Sequence, residues 1–456
     1  MSSRTDETMA QTRTDAEQSG VRRRERLILF ILAAVQFTTI VDFIIVMPLG
    51  PQLMRTLGIG PAEFGAVVSS YTFAAGAAGL VASSIVDRFA RRTTFLLLFA
   101  GFLVGTFLCA VAPSYPALIA ARVATGAFGG ILGGIAMTIV GDVFPEERRG
   151  RATGSLMSGF ALASVAGVPL GLFLGTNYGW KVPFIVLAAC GVPILLLTPL
   201  VMPPLRGHVG HKHAHPLRSM VEMFADADHL RAFTLTVFLT LGGFLVFPYV
   251  SAFYVANVGM TERQLPAMYI VGGALTLIGS PIVGKLADRY GKLRVYRIIA
   301  PLSALLLFTL TNLPPVHMLA ASAVFGALMV SNVGRMIAAM AMITSSVEPR
   351  RRGGFMSANS SIQHIASGLG ASLGGLMITQ TSEGKLENFG TVGALAAAAT
   401  LATLWLAGRV RSPERAAAVS AESLSLAAAA EASVDAGEPL IAMMPADEPS
   451  AERQAS

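Results

Sequence analysis

A single acid, Asp42, lies inside the apolar segments of this 456-residue chain. A charged side chain at a bilayer centre costs roughly 2.5–3.5 kcal/mol on insertion scales, so Asp42 is expected to face a cavity or a partner. Arg122 and Arg335 are the two basic residues inside such segments. Counted along the predicted helices, Asp42 and Arg122 fall at similar depth, each about ten residues or fewer from the same face. If their two helices adjoin, two readings of the pair stand side by side. In the first, protonation of Asp42 removes a charge, loosens Arg122 and biases the protein toward another conformation. Burial and a neighbouring cation act in opposite senses on a carboxylate's proton affinity, which leaves such a group able to titrate. In the second, the pair is a permanent structural ion pair. Intramembrane ionisable groups are functional by default, which favours the first.

Arg335 lies about 20 Å from the nearer boundary, too deep to snorkel to water. His364, with Gln363 beside it, enters to about 16 Å from that side. Arg335 suits an anionic or polar group of a substrate, and His364 suits a proton relay. The alternative is an arginine satisfied by helix carbonyls, Ser331 and Asn332. The run Gly242, Gly243, Phe244, Phe247, Pro248 and Tyr249 predicts a flexible or broken helix lining a cavity. Its aromatics would stack on an amphipathic substrate, or face lipid and core as membrane aromatics commonly do. Gln36, Thr38 and Thr39, with Ser69, Ser70, Tyr71 and Thr72, offer hydrogen bonds. The expected substrate contacts are therefore Arg335, His364, Gln36, Tyr71, Phe247 and Tyr249.

Other chemistries lack their residues. Cys109 and Cys190 both sit in apolar runs and read as small packing residues. His208, His211, His213 and His215 resemble a metal tract but lie in a Gly/Pro-containing linker without cysteine, which reads as a solvated linker. The sequence holds no Walker-type Gly-x-x-x-x-Gly-Lys-Ser/Thr, so ATP is not expected as the energy source. Paired acids, a metal cluster and a nucleophile constellation are missing from the helices, so no enzyme, metal or cofactor is expected.

The elements that must position these side chains are membrane helices. The chain is 53% hydrophobic and 13% charged, with mean hydropathy +0.62, whereas soluble domains carry about 25% charged residues. Twelve apolar segments each approach or exceed the ~20 residues needed to cross the hydrocarbon: 27–49, 65–85, 94–112, 117–140, 153–176, 182–202, 231–255, 265–286, 295–312, 317–345, 354–380 and 390–409. Backbone groups in lipid must pair internally, and the alternating strands of a barrel are not seen, so an all-α polytopic membrane protein follows.

Net charge is +7, but the bases sit in short loops, which points to topology and not to nucleic acid. With the amino terminus inside, only Arg55, Lys181, Arg263 and Lys385 fall in outer loops. Both termini are therefore expected to be cytoplasmic, with no cleavable signal peptide. Residues 1–26 read as a disordered cytoplasmic tail with a basic anchor. Residues 27–202 and 231–409 form two six-helix bundles joined by a His-rich cytoplasmic linker, 203–230. Residues 410–456 read as a disordered cytoplasmic tail.

The two halves echo each other. Gly284-Lys-Leu-Ala-Asp-Arg-Tyr-Gly-Lys292 has a weaker counterpart in Ser83-Ser-Ile-Val-Asp-Arg-Phe-Ala-Arg-Arg92, and Arg148-Arg149-Gly150 matches Arg351-Arg352-Gly353. In that register Gly167 and Gly171 align with Gly370 and Gly374. Repetition at half the chain length marks a duplicated architecture.

The stretch from Gly284 to Lys292 resembles the loop between the eighth and ninth helices of major facilitator transporters. Its first copy departs at Ser83 and Ala90, where the family usually has Gly. Arg122-Val-Ala-Thr-Gly126 resembles the family's fourth-helix motif, whose arginine is linked to proton transfer. Asp42-Phe-Ile-Ile-Val-Met-Pro-Leu resembles the first-helix signature of the twelve-helix drug, sugar and nucleoside efflux branch. Gly159, Gly167-Val-Pro-Leu-Gly171 and Gly175 are similar to the antiporter motif of exporters, with Val168-Pro169 in place of Gly-Pro. The resemblance covers about residues 27 to 409.

It implies the major facilitator fold, with twelve transmembrane helices in two six-helix repeats and the site between the halves near midplane. It implies that the first and fourth helices adjoin, which brings Asp42 to Arg122. It implies a gating role for Asp87, Arg88, Arg92, Gly284, Asp288, Arg289, Gly291 and Lys292. It implies close helix packing at Gly126, Gly167, Pro169, Gly171 and Gly175. The expected function is proton-coupled efflux of a small organic compound, such as a drug, sugar or nucleoside, by a monomer in the inner (plasma) membrane. Proton-coupled uptake by symport is the alternative within transport, and a non-transporting receptor or scaffold the alternative outside it. The expected partners are small molecules, protons and the lipid bilayer.

Overall fold

The computed structural model describes residues 2–85, 89–203, 223–347 and 352–410. Twelve long helices make up the described chain. In the first half they are α1 Ser2–Ile45, α2 Pro61–Ile85, α3 Arg91–Val111, α4 Tyr115–Val143, α5 Glu146–Tyr178 and α6 Val182–Val201. In the second half they are α7 Ala227–Val258, α8 Leu265–Tyr290, α9 Lys292–Thr311, α10 Met318–Ser345, α11 Arg352–Met377 and α12 Phe389–Arg409. Eleven of them are long and apolar enough to cross a membrane. The exception, α11, has 26 residues but is rich in Ser, Asn, Gln and His. It packs against α2 and α7, and Asn359, Ser361 and Ser367 are buried there.

Four local features shape these helices. The stretch expected as a disordered tail is helical, because α1 runs unbroken from Ser2. A membrane span supplies the costly helical nucleus, and propagation into the preceding residues is then cheap. In α5 a π segment, Ala163–Gly167, precedes Pro169 and leads into Val168–Tyr178. Extra-residue bulges of this kind relieve the carbonyl that proline leaves unbonded. In α7 the helix tightens to 3-10 geometry at Phe247–Tyr249, around Pro248, and ends in a π turn, Tyr254–Val258, in line with the expected break. Finally, α11 stops at Met377, and Thr379–Gln380 pairs with Leu386–Glu387 as a small antiparallel hairpin.

Two glycine ladders repeat between the halves. On α5 a methyl group at Gly159, Gly167 or Gly171 would lie 2.4 Å from Ala33 O, 2.3 Å from Val41 and 2.9 Å from Ile45 of α1, and one at Gly175 would lie 2.4 Å from Leu49 in the turn after α1. On α11 one at Gly370 or Gly374 would lie 3.0 Å from Leu241 O and 2.4 Å from Leu245 O of α7. Small residues four apart let these helix backbones approach closely. The turn before each ladder also repeats. Arg149 Nε donates to Phe144 O at 2.9 Å, and Arg352 Nε donates to Val347 O at 3.1 Å.

The core is divided unequally. One end of the bundle carries Arg24, Arg92, Arg148 and Arg409 and is called the basic end; the opposite far end carries Arg55 and Glu262. Around the far end one apolar cluster draws on both halves, joining Val46, Leu53, Phe64 and Val68 to Leu245, Tyr249, Phe253 and Leu265. Toward the basic end the clusters are separate. Phe95, Phe99 and Ile139 belong to one, while Phe233, Ala338 and Phe355 belong to another. The halves are thus packed together at the far end and have independent cores at the basic end.

Candidate functional site

Asp42 and Arg122 meet. The Arg122 Nη1 donates to Asp42 Oδ2 at 2.9 Å and to the Asp42 carbonyl at 3.4 Å, and both side chains are wholly buried. Thr106 of α3 donates from its hydroxyl to Asp42 Oδ1 at 3.0 Å. The guanidinium also lies 4.4 Å from the centre of the Tyr71 ring of α2. Four helices therefore converge on one ion pair. Arg122 Nε and Nη2 have no hydrogen-bond partner among the described residues. Unmet donors on a buried guanidinium cost desolvation energy.

Backbone proximity places these groups. Thr125 packs on Gly105, where a methyl group would lie 2.6 Å from its hydroxyl, which draws α3 against α4. At Gly126 a methyl group would lie 2.2 Å from the Tyr71 carbonyl, so α2 rests on α4 one turn beyond Arg122. Tyr71, expected as a substrate contact, is buried over the arginine. It stacks with Phe43 at 5.2 Å, and Phe43 stacks with Phe244 of α7 at 6.0 Å. A row of rings thus leads from Arg122 in one half to α7 in the other.

Arg335 is the counterpart cation in the second half, without a carboxylate among the described residues. Its Nη1 donates to Thr400 Oγ1 at 2.7 Å and its Nη2 to Asn332 Oδ1 at 2.9 Å and Leu239 O at 3.5 Å. Ser331, expected as a possible partner, donates to Leu328 O instead. The side chain is wholly buried, and Nε is unbonded among the described residues. Thr400 is itself held, since Thr403 donates to its carbonyl and Tyr296 donates to Thr403 Oγ1 at 2.5 Å.

The other expected contacts are scattered. Gln36 and His364 are half-buried, on α1 and α11. Gln36 Oε1 faces Gly133 of α4. Phe247 is half-buried on the broken part of α7. Tyr249 is buried in the far-end packing, where its hydroxyl donates to Ala371 O at 2.5 Å and approaches Gly65 and Gly375. Tyr249 thus ties α7 to the α2–α11 contact.

That contact is close. A methyl group at Gly76 would lie 2.7 Å from Ile365, and one at Gly79 would lie 2.6 Å from the Ser361 hydroxyl. On the opposite flank Gly273 of α8 faces Val165 and Ser164 in the π segment of α5. At the far end Arg55 pairs through both guanidinium nitrogens with Glu262 of the other half.

Among the residues expected at the gate, Asp87 and Arg88 lie outside the described residues, as do His208, His211, His213, His215 and Arg351. Arg92 donates to Met202 O at 3.2 Å and Pro199 O at 3.5 Å, capping the end of α6. Its neighbour Arg91, which sequence reasoning passed over, is buried and pairs with Asp142 at 3.4 Å. Gly291 takes φ 92°, a left-handed value that favours glycine, and turns the chain from α8 into α9. Asp288 and Arg289 are exposed at the basic end, with Lys292 half-buried beside them. Gly284 has open space where a Cβ would project.

Three comparisons place this architecture. The sequence pattern of the Major Facilitator Superfamily matches residues 32–334 and 232–443, and the chain belongs to that superfamily. The chain is 25% identical over 367 residues to the MFS-type transporter YceJ of Bacillus subtilis (strain 168), covering 80% of this chain and 91% of the relative. It is 24% identical over 375 residues to YbcL of the same organism, covering 81% and 93%. Among solved structures, a bacterial homologue of the human lysosomal transporter Spinster, inward-facing and unoccupied, superposes with TM-score 0.62 at 17% identity. That match covers 85% of this chain and 95% of the other. The chain is therefore a multi-pass membrane transporter of the major facilitator type, with the all-helical fold expected from sequence.

Proposed function

We propose that this transporter exports a small organic compound in exchange for protons, with Asp42 as the proton carrier. The observation that carries this reading is the wholly buried Asp42–Arg122 pair, which is braced by Thr106 and Tyr71 and has spare donors on the arginine. Protonation of Asp42 frees the guanidinium of its counter-charge. Arg122 then turns its open donors to other acceptors, and its pull on Tyr71 changes. The stacked Phe43 and Phe244 link that change to α7, the helix that closes the far end.

The distribution of Lys and Arg supports a cytoplasmic basic end with both termini inside, and the bacterial relatives support the inner (plasma) membrane as location. In that orientation we read the conformation as closed to the outside. Its outer side is sealed by the shared core and by Arg55–Glu262. Alternating access would rock residues 27–202 against 231–409. Arg335, His364, Gln36 and Phe247 would be offered to substrate in the course of the cycle, and the protein acts as a monomer.

The test uses proteoliposomes with an imposed pH gradient. Lumenal pH is followed while cationic drugs, sugars and nucleosides are added to the wild type and to Asp42→Asn. Proton release with one substrate class in the wild type only supports exchange through Asp42. Proton movement in the same direction as substrate would replace exchange by symport. Binding without flux in either protein would leave a receptor or scaffold as the better reading.

A further inference from the structure

We infer that the lipid-facing groove between α9 and α12 at the basic end is a binding site for the phosphate of an anionic phospholipid. The two helices pack side by side, and Gly408 opens the groove. A methyl group there would lie 3.6 Å from Arg297 Nη2, so the Arg297 side chain lies across the glycine. One residue further along α12, the Arg409 guanidinium stacks 3.5 Å from the centre of the Trp405 ring. Both arginines are exposed, and neither pairs with a carboxylate among the described residues. Two planar cations at one helix end, one draped over Gly408 and the other fixed on the Trp405 ring, suit the oxygens of a phosphate.

Depth selects a lipid over a soluble ion. Arg409 closes the apolar helix α12 and Arg297 lies in the second turn of α9, so both are at headgroup level. Deeper in the membrane the two helices expose apolar side chains, Leu305 on α9 and Leu401 on α12. Trp405, 60% exposed, stands between the two zones, where an indole favours the membrane interface. A ligand with a charged phosphate and acyl chains satisfies both zones together. Basic pockets between membrane helices attract anionic headgroups on this physical basis, with about fivefold in affinity for each arginine near the surface.

Trp405 is also a reporter, since the chain has only two tryptophans and Trp180 is buried in the far-end core. A Trp180→Phe variant of the full chain is placed in phosphatidylcholine bilayers containing a small fraction of brominated phosphatidylglycerol or, separately, brominated phosphatidylcholine. Brominated phosphatidylglycerol should quench Trp405 several-fold more at equal mole fraction, and Arg297→Gln with Arg409→Gln should remove the excess. Equal quenching by the two lipids overturns the proposal. Loss of the excess on adding soluble glycerol phosphate also overturns it, in favour of a free-phosphate site. Native mass spectrometry of the wild type gives a readout independent of Trp180→Phe. Phosphatidylglycerol should remain bound after detergent washing and should be lost from Arg297→Gln/Arg409→Gln, and retention by both proteins overturns the assignment.

Discussion

The carboxylate of Asp42 and the guanidinium of Arg122 lie 2.9 Å apart with no exposed surface on either side chain. Removing one member of a buried pair strands the other, at a cost of about 3–5 kcal/mol. Asp42→Asn keeps an acceptor for Thr106 but leaves Arg122 without a counter-charge. It should lower the thermal transition of the purified protein and abolish proton movement. Asp42→Asn with Arg122→Gln should recover much of the stability but none of the proton coupling. If the double variant regains both, the pair is only structural.

The pair could be foreseen because a charge inside an apolar run is conspicuous, helical rise brought Asp42 and Arg122 to one depth, and the family resemblance implied that the first and fourth helices adjoin. Thr106 could not be picked out, since a threonine in a span commonly bonds its own helix, as Thr125 does to Ala121. A hydroxyl at matching depth on α3 was the available signal. Tyr71 and Tyr249 were expected to meet substrate, because aromatics in a span look alike from sequence. Only the packing against Gly126 and Gly375 reveals that one covers the arginine and the other the far-end contact. The twelve helices were legible from hydropathy and loop charge, whereas the hairpin at Thr379–Glu387 is too short to leave a period. Arg55–Glu262, between residues 207 apart in sequence, leaves no local trace at all.

That far-end pair makes a second prediction. Arg55 is well exposed while Glu262 is mostly covered, and such pairs contribute about 0–1 kcal/mol, less at high salt. Arg55→Glu should therefore move the population toward opening at the far end by no more than about fivefold plus the added repulsion. Arg55→Glu with Glu262→Arg should restore it. Distances between spin labels on the two far-end loops would measure the shift, and an unchanged distribution in Arg55→Glu would show that the apolar core alone sets closure.

Gly126 is predicted to be intolerant of a methyl group, because the methyl would run into the backbone carbonyl of Tyr71. No rotamer change relieves it, so α2 and α4 must separate. Overpacking of this kind costs typically about 1–3 kcal/mol. Gly126→Ala should lower thermal stability and disturb proton coupling through Tyr71. Gly134→Ala, on the same helix with open space around its Cβ position, should be neutral in both assays. Equal behaviour of the two variants would mean that α2 and α4 are not closely apposed.

The contact between α2 and α11 can be trapped. A Cβ built at Gly79 lies 3.8 Å from the Ser361 Cβ, about the mean separation across a disulfide. Gly79→Cys with Ser361→Cys, in a Cys190→Ser background, should crosslink under mild oxidation and be detected as a mobility shift after proteolysis within 203–230. The bond joins the two halves across the position where they must part if residues 27–202 rock against 231–409. Transport should stop on oxidation and return on reduction, whereas binding from the basic side should persist in both states. Undiminished transport by a fully crosslinked protein would mean that α2 and α11 stay together throughout the cycle, and that the movement lies instead along the α5–α8 flank, where Gly273 meets Val165.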